Sequence, residues 1–326
     1  MAKGKRIMIT GGAGFIGSNI ANALCASNTV MILDNMHSGS VDNVEESKKL
    51  GAEFFKGDSG SIASTHFDPD VIFHLGIYSS TPMYRSNHKL VASVVSDAIG
   101  VFDFAAERGI PVVFASSSSI YNGHSGLHHE GLVPKVTDYY TEARIAVERL
   151  AELYASMSGL DATALRQFSI YGPHDEKKGI FGNLITQFML SMGRGEQPVI
   201  YGDGTQARDF TYVSDVMDAY TMAAKLKGFN LLNVGRGESY TINQMIEKLN
   251  EKLGTEIQPK YIQNPLKNYV DRTEADTSKA EKVMGFRAKV NLEEGINKLY
   301  DYLLESGQLG TAAVQKNTED KSGEAR

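Results

Sequence analysis

Short, continuously apolar runs alternate along the chain with longer segments whose apolar residues recur at helical spacing. The runs at Arg6–Thr10, Val30–Asp34, Glu53–Gly57, Val71–Leu75, Val112–Ser116 and Ala162–Arg166 predict strands. Val71, Ile72 and Phe73 are apolar in succession, which suits a strand covered on both faces, the condition of a parallel sheet. The intervening segments predict helices over Phe15–Ser27, Lys89–Arg108 and Tyr140–Ser158, the last with Ile145, Leu150, Leu153 and Tyr154 near helical spacing. Right-handed βαβ crossovers then give an α/β fold, a Rossmann-like doubly wound parallel sheet.

Beyond Tyr171 the rhythm loosens. Helices are predicted at Asn183–Met192, Ser214–Leu226, Ile242–Leu253 and Leu292–Glu305, separated by turns marked with Gly and Pro. The expected organisation is a Rossmann domain over 1–171 and a smaller C-terminal α/β domain over 172–305, with Leu231–Val234 returning to the main sheet. A polar, mobile tail is expected over 306–326.

The composition, 42% hydrophobic and 22% charged, is that of an ordinary globular chain and excludes intrinsic disorder. Thirty-three basic against thirty-nine acidic residues leave a charge of −6, which disfavours nucleic acid and anionic membranes as partners. Any anionic ligand must be held locally. The single cysteine, Cys25, rules out an internal disulfide, a CxxC pair or a structural zinc site, and its apolar surroundings predict burial. Without a membrane-length apolar run or a signal-peptide pattern, a cytoplasmic protein without a metal is expected.

The local anion site is written at the first strand-to-helix turn. Gly11, Gly14 and Gly17 have the spacing that permits a tight turn, close approach of backbone N–H groups to a pyrophosphate, and close helix–strand packing. Asp34 closes the second strand, where a carboxylate can hydrogen-bond both hydroxyls of an adenosine ribose and repel a 2′-phosphate. No Lys or Arg occurs between Asp34 and Lys48 to reverse this, so NAD is preferred over NADP. Asp58, after the third strand, suits the adenine edge or a plain turn.

Four serines, Ser116–Ser119, follow the fifth strand, where polar side chains face the ligand crevice of a parallel sheet. Tyr140 and Arg144 stand one turn apart on a helix face. A nicotinamide enzyme oxidising an alcohol needs a base for the hydroxyl proton. A tyrosine can serve when positive charge favours its anion, and one nearby cation supplies about one to three pKa units.

The chain resembles the extended short-chain dehydrogenase/reductases, and among them the nucleotide-sugar epimerases of the UDP-glucose 4-epimerase type, over roughly residues 5–305. The matching stretches are Thr10–Gly17, Leu33–Asn35, Gly57–Asp58, Phe73–Leu75, Ser116–Tyr121, Tyr140–Arg144 with Glu148, Leu165–Pro173 and Tyr201–Asp215. The resemblance implies Tyr140 as catalytic base, Ser117 as the hydroxyl on the reacting oxygen, with Ser118 able to substitute, and NAD as cofactor. It implies cofactor contacts from Gly11, Gly14, Phe15, Ile16, Gly17, Asp34, Asn35, Asp58, Leu75, Gly76 and Arg144. It implies substrate contacts from Ser117, Tyr140, Ser169, Asn183, Leu184, Tyr201 and Arg208, with Arg208 on the diphosphate and Tyr201 near the uracil of a UDP-sugar.

Arg144 stands where the family carries lysine, and a planar guanidinium is not a geometric copy of an ammonium. Asp97 and Ser169 stand where relatives commonly carry asparagine. The segment Pro265–Val270 does not match the relatives' Arg-Pro-Gly-Asp/Glu stretch; Lys267 or Arg272 is the candidate to compensate. Dehydratases and decarboxylating relatives place carboxylates after the serine position, whereas this chain has Ser118 and Ser119. The expectation is therefore a UDP-hexose 4-epimerase passing through a 4-keto sugar. The alternatives are another nucleotide-sugar modification or a weakened binding protein. A homodimer through Lys89–Arg108 and Tyr140–Ser158 is implied by the resemblance.

Overall fold

A computed structural model describes residues 3–264 and 270–310. Six strands occur close to their expected positions: β1 (Arg6–Thr10), β2 (Thr29–Asp34), β3 (Glu53–Lys56), β4 (Val71–His74), β5 (Val112–Ser117) and β6 (Ala162–Gln167). With the strand Phe229–Val234 beside β6, they form a seven-stranded sheet of order 3-2-1-4-5-6 followed by that last strand, every pairing parallel. The strand order reverses between β1 and β4. This is the expected Rossmann-like doubly wound sheet, and a crevice opens at the carboxyl ends of its strands where the order reverses.

The helices of the first half are α1 (Phe15–Cys25), α2 (Glu45–Lys49), α3 (Thr81–Ser86), α4 (Leu90–Arg108) and α5 (Tyr139–Ser158). The second half adds α6 (Leu184–Gly193), α7 (Val213–Ala223), α8 (Ile242–Leu253), α9 (Ser278–Met284) and α10 (Leu292–Glu305). α1 ends at Cys25 rather than Ser27, because the chain must turn there to enter β2. Among the described residues no helix is long and apolar enough to cross a membrane.

Alternate strand residues feed opposite faces. Met8, Leu33, Ile72 and Phe114 join Val94, Phe102 and Val147 of α4 and α5 in one core, while Ile7, Ile9, Phe73 and Val113 join Ile20 of α1 and Val216 of α7 in another. Each fully buried side chain of this size contributes about 1.5–3 kcal/mol relative to exposure. Cys25 lies in the second core, and burial, then the Glu46 charge, pushes its thiol up to about 11. An inert packing residue results. A third core gathers Ile185, Met189, Phe210, Leu249 and Leu299 with Phe15 from the glycine turn.

Leu309 is buried in that third core as well. The packed chain therefore continues past the boundary at 306 that polarity alone suggested, because one apolar side chain anchors an otherwise polar segment. The remainder of the expected tail, residues 311–326, and Lys267 lie outside the described residues.

Helix α5 deserves its length. The Asp138 carboxylate accepts the Thr141 N–H at 3.0 Å to start it, and Gly159, in the left-handed region with φ 69°, ends it. Its buried face carries Tyr140, Ala143, Arg144, Val147, Glu148 and Ala151 in helical register. A tyrosine, an arginine and a glutamate thus point inward with the aliphatic residues.

Candidate active site

The crevice begins at the turn after β1. Gly11 has φ 66°, and a Cβ there would lie 2.6 Å from the Gly76 nitrogen; on Gly17 it would lie 2.2 Å from the Gly11 oxygen. Neither position has room for a side chain. Gly14 is different, since its Cβ would meet only the Gly11 oxygen, at 3.2 Å. Gly14 is the N-cap of α1, no side chain caps the helix, and its first turn holds no acidic residue. The first-turn N–H groups and the positive end of the helix dipole are left for an anion.

Asp34 closes β2 and is 6% exposed. One carboxylate oxygen accepts the Ala13 N–H at 3.0 Å and the other the Met36 N–H at 2.7 Å. Burial raises its pKa from the ordinary value, against the opposing pull of these amides. Asn35 donates through Nδ2 to Asp58 Oδ1 at 2.8 Å, so Asp58 braces Asn35.

Across the order reversal, Leu75 donates its N–H to the Thr10 oxygen at 3.0 Å, joining the ends of β4 and β1. His74 Nδ1 lies 2.7 Å from Thr10 Oγ1, which also accepts the Gly76 N–H at 3.2 Å. Full burial, then the Arg144 charge, lowers the His74 pKa to about 3. The ring is held neutral.

The serine run splits by role. Ser116 Oγ donates to Glu148 Oε1 at 2.5 Å and is a structural partner of α5. Ser117 Oγ accepts the Ser119 N–H at 3.1 Å, which leaves its own hydroxyl hydrogen to donate elsewhere. Tyr140 and Arg144 are 7% and 4% exposed. The Arg144 guanidinium carbon lies 4.9 Å from the Tyr140 ring centre. Its Nη1 donates to the Ala115 oxygen at 3.1 Å and its Nη2 to the Tyr78 oxygen at 3.0 Å.

These elements enclose a cavity of about 370 Å³. Gly11, Gly14, Phe15, Ile16 and Gly17 line it from the turn after β1, Asp34 and Asn35 from the end of β2, and Leu75 and Gly76 from the end of β4. Ser117, Ser118, Tyr140, Arg144, Ser169 and Asn183 line it too. Ser169 adopts φ 35°, the left-handed region where asparagine is at home and serine is uncommon. Asn183 caps α6, accepting the Ile185 N–H at 3.0 Å.

Four of the expected site residues do not line this cavity. Asp58 stands behind Asn35, and Leu184, partly buried, packs against the third core. Tyr201 is 38% exposed on a short strand. Arg208 Nη1 donates to the Ala207 oxygen at 2.7 Å. The cavity adds residues the sequence reading passed over, notably Ile77–Thr81 after β4, and Lys178. The first group has a readable signal, its position at the carboxyl end of a strand beside the order reversal. Lys178 has none, since it reaches the crevice from a segment distant in sequence. It is held 3.4 Å from the buried Asp175 carboxylate.

Residues 7–235 match the family model for the NAD dependent epimerase/dehydratase family. The chain belongs to that family, and NAD is its cofactor. The glycine turn fits that group, with a cradle that a Cβ would fill and helix N–H groups that no side chain caps. The chain is 29% identical to a UDP-glucuronate 4-epimerase of Thermodesulfobacterium geofontis over 93% of its length and 97% of the relative's. It is 27% identical to UDP-glucuronic acid decarboxylase 1 of Xenopus tropicalis, over 91% and 72%. Among solved structures, UDP-glucose 4-epimerase of Thermotoga maritima with UDP-glucose superposes with a TM-score of 0.86 at 28% identity, covering 92% of this chain and 99% of that one.

Proposed function

We propose that the protein is a nucleotide-sugar 4-epimerase, acting on UDP-glucose and UDP-galactose or their N-acetyl forms through a 4-keto sugar. One observation carries the reading: Tyr140, Arg144 and Ser117 share a cavity with the glycine cradle, and the residues following Ser117 are Ser118 and Ser119. The carboxylates among the described lining residues are Asp34 and Asp97. Asp34 is bound to the amides of Ala13 and Met36, and Asp97 to that of Gly60 at 3.1 Å. Neither belongs to the segment after β5 where elimination or decarboxylation would call for one.

Gly14–Gly17 would hold the pyrophosphate of NAD and Asp34 its adenosine ribose. When bound, NAD supplies a hydride acceptor and, after reduction, a donor. The Tyr140 oxygen takes the proton of the sugar C4 hydroxyl, with the Arg144 guanidinium packed beside its ring. Ser117 donates its free hydroxyl hydrogen to the same oxygen as carbonyl character develops. After the keto sugar presents its other face, Tyr140 returns the proton. Asn183 and the start of α6 would receive the substrate diphosphate; Tyr201 and Arg208 do not line this cavity. In the same reading two chains pair through α4 and α5, on which Ile99, Leu153 and Met157 are exposed apolar residues.

The test is incubation of the purified protein with UDP-glucose, UDP-N-acetylglucosamine and UDP-glucuronate separately, followed by chromatography of the products. The expected result is the 4-epimer of UDP-glucose or of UDP-N-acetylglucosamine, formed without net reduction of NAD, with Tyr140→Phe lowering kcat by about a hundredfold or more, whereas epimerisation of UDP-glucuronate alone would point to a uronate epimerase. A pentose or deoxy-keto product, or binding without turnover, would replace this reading.

A further inference from the structure

Between β6 and α6 the chain passes through residues 172–183, and this passage bears on the start of α1. The Asn19 side chain donates to the Pro173 oxygen at 2.9 Å, and His174 Nδ1 lies 2.7 Å from Ser18 Oγ. Lys177 pairs with Asp42 at 3.0 Å, and Lys178 Nζ lies 5.6 Å from the centre of the Phe15 ring. Phe15, Ser18 and Asn19 belong to the first two turns of α1, whose N-terminus no side chain caps. Lys178, Phe181, Gly182 and Asn183 line the same cavity as Gly11, Gly14 and Phe15. The segment is therefore a strap, fixed on the first half of the chain and walling one side of the cofactor crevice.

At Glu176 the strap meets the C-terminal end of α10 and the turn that follows it. Glu176 Oε1 accepts the Tyr302 hydroxyl at 3.1 Å and Gln308 Nε2 at 3.0 Å. Its Oε2 is buried and has no hydrogen-bond partner among the described residues. The two donors on Oε1 thus carry the hydrogen bonding of this carboxylate, and losing one is costly. Gln308 is itself held, since its N–H donates to the Leu303 oxygen at 2.9 Å and Leu309 beside it is buried in the third core. The strap needs such fixings. His174 adopts φ 72°, a left-handed conformation that a residue other than glycine keeps only where its surroundings over-determine it. Gly179, with φ 55° and open space about it, supplies a point of backbone freedom in the middle.

We propose that Glu176 is a positioning residue for cofactor retention: bonded to Tyr302 and Gln308, it holds the strap beside the glycine turn, and opening of the strap sets the rate at which NAD leaves. Neither Glu176 nor Gln308 lines the cavity, so both act through the strap residues that do. The inference rests on NAD as cofactor and not on the sugar that the protein turns over. It gives the turn after α10 a role in the crevice, although the two are far apart in sequence.

Exchange of bound NAD for isotopically labelled NAD tests it on the intact protein, read by mass spectrometry of the dinucleotide released on denaturation. Gln308→Glu sets a second carboxylate against Glu176 and speeds exchange about tenfold, the scale of one lost hydrogen bond to a charged group. The double variant Glu176→Gln with Gln308→Glu, in which amide and carboxylate trade places, returns the rate to that of wild type. Hydrogen–deuterium exchange of the peptide covering 174–183 rises in Gln308→Glu and falls back in the double variant, while α4 and α5 are unchanged in both. An unaltered NAD exchange rate in Gln308→Glu, no recovery in the double variant, or an equal loss of protection in α4 and α5 overturns the proposal. Wild-type protein that neither carries NAD nor takes it up overturns it as well. No sugar nucleotide enters the assay, so its outcome is separate from that of the reaction proposed above.

Discussion

Glu148 on α5 accepts two hydrogen bonds from Arg166 on β6, from Nε at 2.9 Å and from Nη2 at 2.7 Å. The two side chains are 7% and 3% exposed, and Glu148 also receives the Ser116 hydroxyl. The ion pair therefore fixes the helix that carries Tyr140 against β6, and the Ser116 bond fixes it against the end of β5 that carries the serines. Removing one member of a buried pair strands the other charge, which costs about 3–5 kcal/mol, whereas replacing both with apolar residues costs far less. Urea unfolding should show Glu148→Ala strongly destabilised and the double variant Glu148→Met with Arg166→Met much closer to wild type. A loss under about 1 kcal/mol for Glu148→Ala would show that the pair is not the brace described.

The glycines of the first turn should separate by experiment. Gly17→Ala drives a methyl into the Gly11 carbonyl, and the fold must shift to admit it. Gly14→Ala adds a methyl that meets only one backbone oxygen, at 3.2 Å. Gly14→Ala should keep a near-normal melting temperature while losing bound NAD, and Gly17→Ala should lose both. Mass spectrometry of released dinucleotide, paired with thermal unfolding, reads the difference.

His74 makes stability depend on pH in a definite sense. Its pKa falls from 6.5 in the open chain to about 3 in the folded one, so between those values the unfolded chain holds a proton the native chain lacks. Stability from this group is fully present above 6.5 and is lost as pH falls toward 3, by about 1.4 kcal/mol per unit. Asp209, pushed up to about 6 mainly by burial, acts oppositely between about 3.8 and 6. The comparison to make is therefore wild type against His74→Asn, by urea unfolding from pH 7 to pH 5. The variant should lose less stability over that range, and parallel slopes would rule the assignment out.

Arg144→Lys separates charge from geometry. An ammonium keeps the positive charge near Tyr140 but is not a planar fork spanning the Ala115 and Tyr78 carbonyls. The expected outcome is a kcat lowered about tenfold, or about 1.4 kcal/mol in barrier, with NAD still bound. A gain in turnover instead would support a binding protein whose chemistry had been lost with the lysine.

How much of this was legible in the sequence follows from which contacts are local. β1 through β6 could be read to within a residue or so because a sheet covered on both faces demands continuous apolar runs. Gly11, Gly14 and Gly17 announce themselves because their roles are satisfied within one turn, and Tyr140 with Arg144 because one helix fixes their spacing. The Thr10–His74 bond was not readable, since it depends on β1 and β4 being neighbours although β2 and β3 intervene in the chain, and the tether of Arg144 to the Tyr78 carbonyl was not readable because it joins α5 to the segment after β4 across 66 residues. Leu309 escaped for a related reason: nothing in its polar surroundings shows that the third core lies beneath it.

The tether on Tyr78 also implies a division of labour. Tyr140 and Arg144 share one stiff helix, so the distance between phenol and cation is set by helical pitch and is insulated from changes elsewhere. The short wall they hold in place can exchange its hydroxyl-bearing residues without disturbing that pair. Side chains of that wall can therefore change while the spacing of phenol and cation stays as the helix sets it.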